Sequence, residues 1–183
     1  AKALGISKKY VLIAGTGSIG SPLPIKEIIK GIRVIVKKLS KEGSCNTAEA
    51  ILTTDTRTKE IAVRIPVKGG NIVISGIAKG SGMINPNLAT MLAFITTDAK
   101  IRGRLLERVL LESVSKSFNM LNIDRCRSTN DTVFALANGM SNSEEIKEGS
   151  RPYKAFAQAF EYICIYLAKE IARDGEGSTK LIE

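Results

Sequence analysis

Residues 61–77 read Ile61-Ala62-Val63-Arg64-Ile65-Pro66-Val67-Lys68-Gly69-Gly70-Asn71-Ile72-Val73-Ile74-Ser75-Gly76-Ile77. Two apolar, β-branched runs flank a Gly-Gly pair, which is the pattern of a β-hairpin. The glycines supply the backbone freedom a tight turn needs, and the flanking residues suit a pleated, half-buried surface. A hairpin among strands and helices that otherwise alternate irregularly argues against a purely parallel sheet. The fold class expected from it is α/β in the mixed (α+β) sense, with layers of sheet and helix.

Working outward, residues 91–96 and 132–137 read as further strands, the second ending at Asn138-Gly139. Residues 9–14 (KYVLIA) form a short apolar run that breaks on glycines, and a buried strand is expected there. Helical spacing appears three times. After Pro22 and Pro24 it runs through Ile25, Ile28, Ile29, Ile32, Val36 and Leu39, with Gly43 as the stop. Leu105, Leu106, Val109, Leu110, Val114 and Phe118 mark a second helix, and Tyr153, Phe156, Phe160, Ile163, Leu167 and Ile171 a third. Residues 141–149 read as a polar loop. No repeat is visible, and residues 1–183 are read as one domain, long enough to bury a core.

Composition removes whole classes of chemistry. The chain contains no histidine, which excludes Ser-His and Cys-His devices within it and the commonest zinc ligand. A base acting near neutral pH must be a shifted carboxylate, a shifted lysine or an α-amine, whose ordinary pKa is roughly 7.7–8.0. Three widely separated cysteines, Cys45, Cys126 and Cys164, show no metal-ligand spacing, so no metal is expected. They are read as reduced residues filling space. The net charge of +9 is scattered and not interleaved with aromatics, so a solvated basic surface is expected rather than a nucleic-acid partner. No apolar run approaches the roughly 20 residues that span a bilayer, and the first residues lack a signal-peptide core. No membrane partner and a cytoplasmic location are the expectations.

Three motifs carry candidate chemistry. Gly15-Thr16-Gly17-Ser18-Ile19-Gly20 fits a dinucleotide-binding pattern, but Pro22 and Pro24 interrupt the helix that pattern needs. The acidic residue expected about 20 positions on is also absent. The glycines are better suited to aiming N–H groups at a developing negative charge. Thr53-Thr54-Asp55-Thr56 and Asp174-Gly175-Glu176-Gly177 read as turn and cap chemistry, although two carboxylates on a glycine-flexed loop also suit an ammonium group. Finally, Lys79-Gly80-Ser81-Gly82 leads through Pro86-Asn87-Leu88-Ala89-Thr90 into a strand. Lys79 suits pairing with a carboxylate. Thr90, read alone, is an ordinary strand-opening residue.

Taken together these stretches resemble the ornithine acetyltransferase family, the glutamate N-acetyltransferases of arginine biosynthesis. The resemblance adds Ala48-Glu49-Ala50-Ile51, Met83-Ile84, Thr97-Asp98-Ala99, Ser117-Phe118-Asn119, Ser128-Thr129-Asn130-Asp131-Thr132, Ala137-Asn138-Gly139 and Ser178-Thr179-Lys180, all in the family's order. It implies a layered αββα sandwich, mixed sheets with flanking helices. It implies self-cleavage between Ala89 and Thr90 into an α segment, 1–89, and a β segment, 90–183. Thr90 would be the nucleophile with its own α-amine as base, and Thr16 and Gly17 would form the oxyanion hole. Thr53, Lys79, Thr90 and Glu176 would bind substrate. The implied reaction is a ping-pong transfer of acetyl from N-acetylornithine to glutamate through acetyl-Thr90. No cofactor is implied, with acetyl-CoA open as a second donor. An α2β2 heterotetramer is the implied assembly.

Three departures accompany the resemblance. Arg125-Cys126-Arg127 follows Asp124 where the family usually carries a glycine and an acidic residue. Gly15 stands where a small hydroxyl residue is common. Only the central part of the family is matched, so N- and C-terminal portions that complete the catalytic domain are expected to be missing. Two rival readings stay open: an N-terminal-threonine amidase or aminopeptidase with water as acceptor, and an inactive truncated form acting only with a partner chain.

Overall fold

The computed structural model describes residues 1–85, 91–126 and 128–183. Its centre is a four-stranded mixed sheet in the order β1-β2-β3-β4. The strands are β1 (Lys59–Val67), β2 (Gly70–Lys79), β3 (Leu92–Thr97) and β4 (Thr132–Ala137). β1 and β2 pair antiparallel as the expected hairpin, with Val67 opposite Gly70. The turn residues are therefore Lys68 and Gly69, and Gly69 takes a φ of 87° that an L side chain rarely adopts. β3 pairs antiparallel with β2 and parallel with β4. The parallel step needs a crossover, and α3 (Gly103–Ser115) provides it.

Alternation along the strands decides which face is covered. Ile72, Ile74 and Ala78 of β2 line up with Ile65 of β1 and with Ala93 and Ile95 of β3, and all are buried. Against them packs α4 (Arg151–Arg173), whose Phe156, Phe160, Ile163, Leu167 and Ile171 are all fully buried. Spaced by three and four residues, these side chains form one stripe. Each contributes about 1.5–3 kcal/mol by leaving water. The helix comes so close at Gly76 that an added Cβ would lie 2.8 Å from Leu167 Cδ1 and 3.0 Å from Ile163 Cγ2. Ser150 starts α4 by accepting the Tyr153 N–H at 3.2 Å, with Pro152 in the first turn. α3 packs beside α4 on the same side.

The opposite face carries Val73, Ile77, Phe94, Phe134 and Leu136, none of them buried. Phe94 and Phe134, opposite each other in the parallel pair, meet edge to face with centroids 6.0 Å apart. The mixed sheet with flanking helices agrees with the fold class read from the sequence. Among the described residues it amounts to one sheet layer and one helical layer.

Residues 1–43 differ from the sequence reading in one respect. The expected strand over 9–14 is absent: a 3-10 turn, Lys8–Tyr10, gives way to irregular chain with Ile13 87% exposed. A strand needs a neighbour to accept its N–H groups, and among the described residues none lies alongside this run. The first helix does form, as α1 (Ile25–Ile35) followed by a 3-10 turn, Val36–Lys38, but it buries no side chain. A second short helix, α2 (Ser44–Ala50), was not legible in the sequence. Seven residues with one buried side chain, Ala48, are too few for a helical period to show.

The cysteines also need correction. Cys164 fills space inside α4, and burial pushes its thiol up to about 12 against a hydrogen bond from Ser117. Cys45 and Cys126 are exposed and fill no core.

Candidate functional site

β2 ends at Lys79, whose side chain is 1% exposed. Its ammonium donates to Thr53 Oγ1 at 2.8 Å. Thr53 lies in the loop between α2 and β1, and the next residue, Thr54, shares a 2.6 Å hydrogen bond with the Ser81 hydroxyl. Ser81 in turn accepts the Glu176 N–H on its carbonyl at 2.6 Å. The Glu176 carboxylate lies against Gly82, where a Cβ would stand 2.5 Å from Oε2. Gly82 thus makes room for the acid. Of the substrate-binding set that the family resemblance implies, Thr53, Lys79 and Glu176 come from three separate stretches and are joined through Ser81 and Thr54.

Behind this set lies a buried ion cluster. The Lys59 ammonium donates to Asp55 Oδ1 at 2.7 Å, to Asp174 Oδ2 at 2.5 Å and to the Arg57 carbonyl at 3.3 Å. Asp55 also accepts the Gly80 N–H at 2.6 Å, and Asp174 accepts the Thr56 N–H at 3.0 Å together with the Thr56 hydroxyl. Burial pushes the Asp55 carboxyl up, but Lys59 and the Gly80 and Thr53 N–H groups outweigh it and hold the pKa below the ordinary value. Asp174 behaves alike: burial raises it, and Lys59 with Thr56 brings it lower. Burial pulls the Lys79 ammonium down, against the raising charges of Asp55 and Asp131 and with the like charge of Lys59.

Asp131 holds the start of β3. Its Oδ1 accepts the Met91 N–H at 2.7 Å, while the Thr132 N–H donates to the Met91 carbonyl at 3.1 Å. Burial raises this carboxyl above its usual value, opposed by Met91, Ser128 and Lys79. Asp124 fastens the loop after β2, accepting the N–H groups of Met83 at 2.5 Å, Ile84 at 2.9 Å and Cys126 at 3.0 Å. Arg125, next in the chain, adopts a φ of 61°, the left-handed region that favours glycine.

The other sequence-predicted residues lie elsewhere. Ala89, Thr90 and the Ala89–Thr90 bond fall within residues 86–90, outside the described residues, as does Arg127. Thr16 and Gly17 sit in the irregular segment before α1. Among the described residues no hydrogen bond joins them to Thr53, Lys79 or Glu176. Lys59 was missed, because a lysine at the head of a strand ordinarily projects into water. Asp55, four residues before it, was the only local signal. At the other end Asp174, one of the two glycine-flexed carboxylates suited to an ammonium group, pairs with Lys59.

Among the described residues no group of three or more metal-ligating side chains comes together. A surface recess of about 500 Å³ lies at the start of α3, well away from Lys79 in the chain, lined by Arg102, Arg104, Arg108 and Lys147. Arg102 and Arg108 are already paired with Glu145 and Glu148. No helix of the described residues is long and apolar enough to cross a membrane.

Residues 1–183 match the family model described as ArgJ family. Over 183 residues the chain is 51% identical to the arginine biosynthesis bifunctional protein ArgJ of Symbiobacterium thermophilum, covering 100% of this chain and 46% of that protein. Its identity to the ArgJ protein of Caldanaerobacter subterraneus is 46%, covering 100% and 45%. A crystal structure of the Bacillus halodurans ArgJ protein matches 48% of this chain and 41% of that one, at 39% identity and a TM-score of 0.46. The chain spans less than half the length of the curated relatives it matches.

Proposed function

We propose, because the chain belongs to the ArgJ family, that it carries the acetyl-transfer site of an arginine-biosynthesis enzyme, moving acetyl from N-acetylornithine to glutamate. The observation that carries this reading is the convergence of Thr53, Lys79 and Glu176 through Ser81 and Thr54. The strand register adds support: Lys79 is the Cα partner of Leu92, two residues beyond Thr90 in sequence.

In the proposed cycle the chain first cleaves its Ala89–Thr90 bond, freeing the Thr90 amine as base. Thr90 Oγ gives its proton to that amine and bonds to the acetyl carbon. The amide C–N bond breaks and ornithine leaves with the proton. The glutamate amine then attacks the ester, and Thr90 Oγ recovers a proton as N-acetylglutamate departs. Thr16 and Gly17 would donate to the oxyanion. Losing one such donor costs roughly 10²–10³ in rate. Lys79 and Glu176 offer opposite charges, suited to the carboxylate and ammonium of an amino-acid substrate. Acetyl-CoA as a second donor, an α2β2 assembly and a cytoplasmic location belong to the same reading.

The test is to incubate the purified chain with N-acetylornithine and glutamate and quantify both products. The reading expects ornithine and N-acetylglutamate in equal amounts, abolished by Thr90→Ala. Acetate released equally well without glutamate would favour the amidase alternative. No ornithine at all would sink the reading.

A further inference from the structure

The buried cluster behind the site has more contacts than a plain ion pair. The Lys59 side chain is fully enclosed, with its ammonium shared between two carboxylates and a carbonyl. Such burial costs several kcal/mol per ion before attraction repays it, and an apolar replacement often serves stability as well. The placement of its partners suggests what the cluster does beyond stability. Asp55 is two residues from Thr53 and accepts the N–H of Gly80, the residue after Lys79. Asp174 is two residues from Glu176 and accepts both donors of Thr56, in the loop of Thr53. Lys59 pairs with Ala78 in the β1–β2 register, so its side chain leaves the sheet on the face opposite to Lys79. It sits behind the substrate groups and does not join them.

We propose that Lys59 is a positioning residue for acetyl transfer. By clasping Asp55 and Asp174 it fixes the loop of Thr53 and the turn of Glu176 at one spacing around Lys79. The device rests on the acetyl-transfer reading. It predicts that loosening the clasp weakens substrate capture even when the fold and every substrate-contacting residue stay intact.

Two variants of the full chain test this: the triple Asp55→Asn/Lys59→Met/Asp174→Asn, which removes all three charges of the clasp; and Thr56→Val, which removes one hydroxyl. For the triple variant the expected result is a KM for N-acetylornithine raised about tenfold, with kcat changed less. Thr56→Val should move the same way by about twofold. Amide hydrogen exchange reads the clasp without activity: Glu176 should lose protection about tenfold in the triple variant while β2 amides keep theirs. Unchanged KM in both the triple variant and Thr56→Val would overturn the proposal. Undiminished Glu176 protection would do so too. A wild-type chain that transfers no acetyl would defeat the acetyltransferase reading, and the exchange result would still judge the clasp.

Discussion

Residues 1–43 and residues 44–183 are both rich in apolar side chains, yet only the second stretch buries them. α4 places Phe156, Phe160 and Ile163 at helical spacing and all three are fully enclosed. α1 places Ile25, Ile28, Ile29 and Ile32 at the same spacing, and each is between 40% and 55% exposed. Periodicity indicates which local conformation gathers the apolar side chains into one stripe. Burial needs a second surface of matching shape, and β1 and β2 supply one to α4. The candidate site divides the same way. Thr53, Lys79 and Glu176 belong to the packed region and are knit together, whereas Thr16 and Gly17 belong to the uncovered one.

The contrast is open to attack at several points. The largest expected effect is in the packed region: Phe160→Ala should destabilise the chain by about 3–5 kcal/mol in chemical denaturation, from lost burial plus a cavity. A cost near zero would mean that the α4 interface is not the core. Acid should come next. Asp55 and Asp174 have folded pKa values below their unfolded ones, so their contribution is complete above the unfolded value of about 3.9. It is lost as pH falls further through the folded values, because the unfolded chain takes up protons first. Asp131, raised by burial, has the opposite sign and blunts the loss. Melting temperature should therefore drop more steeply below about pH 4 in the wild type than in the triple clasp variant.

A smaller gain is expected from Arg125→Gly. Relieving a left-handed φ is worth about 1–2 kcal/mol, less the roughly 0.5–1 kcal/mol of entropy glycine loses on folding. Stabilisation of about 0.5–1 kcal/mol by thermal melting would agree, and destabilisation would show that the arginine has a compensating contact. The smallest effect should be Ile28→Ala in α1, within about 0.5 kcal/mol. A loss there as large as at Phe160 would collapse the distinction between the two regions.

Legibility followed the range of the interaction involved. The hairpin and β4 were readable as short apolar runs bounded by glycine turns, and α4 because period 3.6 repeats along it. The strand expected at 9–14 failed because an apolar run states only that it wants cover, and among the described residues no strand pairs with it. α2 was too short to show a period. In the site, Thr53, Lys79 and Glu176 were singled out by the family resemblance, which carries nothing of the hydrogen bonds that join them. Lys59 was missed because only Asp55 lies near it in sequence, while its other partner, Asp174, lies 115 residues away. A long-range ion pair leaves no mark on local sequence. Arg125 shows the converse: a missing glycine, noted from the sequence, coincides with a left-handed backbone.

The central claim, that this chain holds an acetyl-transfer site built around Thr53, Lys79 and Glu176 with Thr90 as acceptor, is tested most directly by intact-mass spectrometry. The purified chain is measured before and after exposure to N-acetylornithine. The account predicts two fragments divided at the Ala89–Thr90 bond, with one acetyl group gained by the fragment that begins at Thr90 and none in Thr90→Ala. A single uncleaved chain of 19.7 kDa that takes up no acetyl group would contradict it.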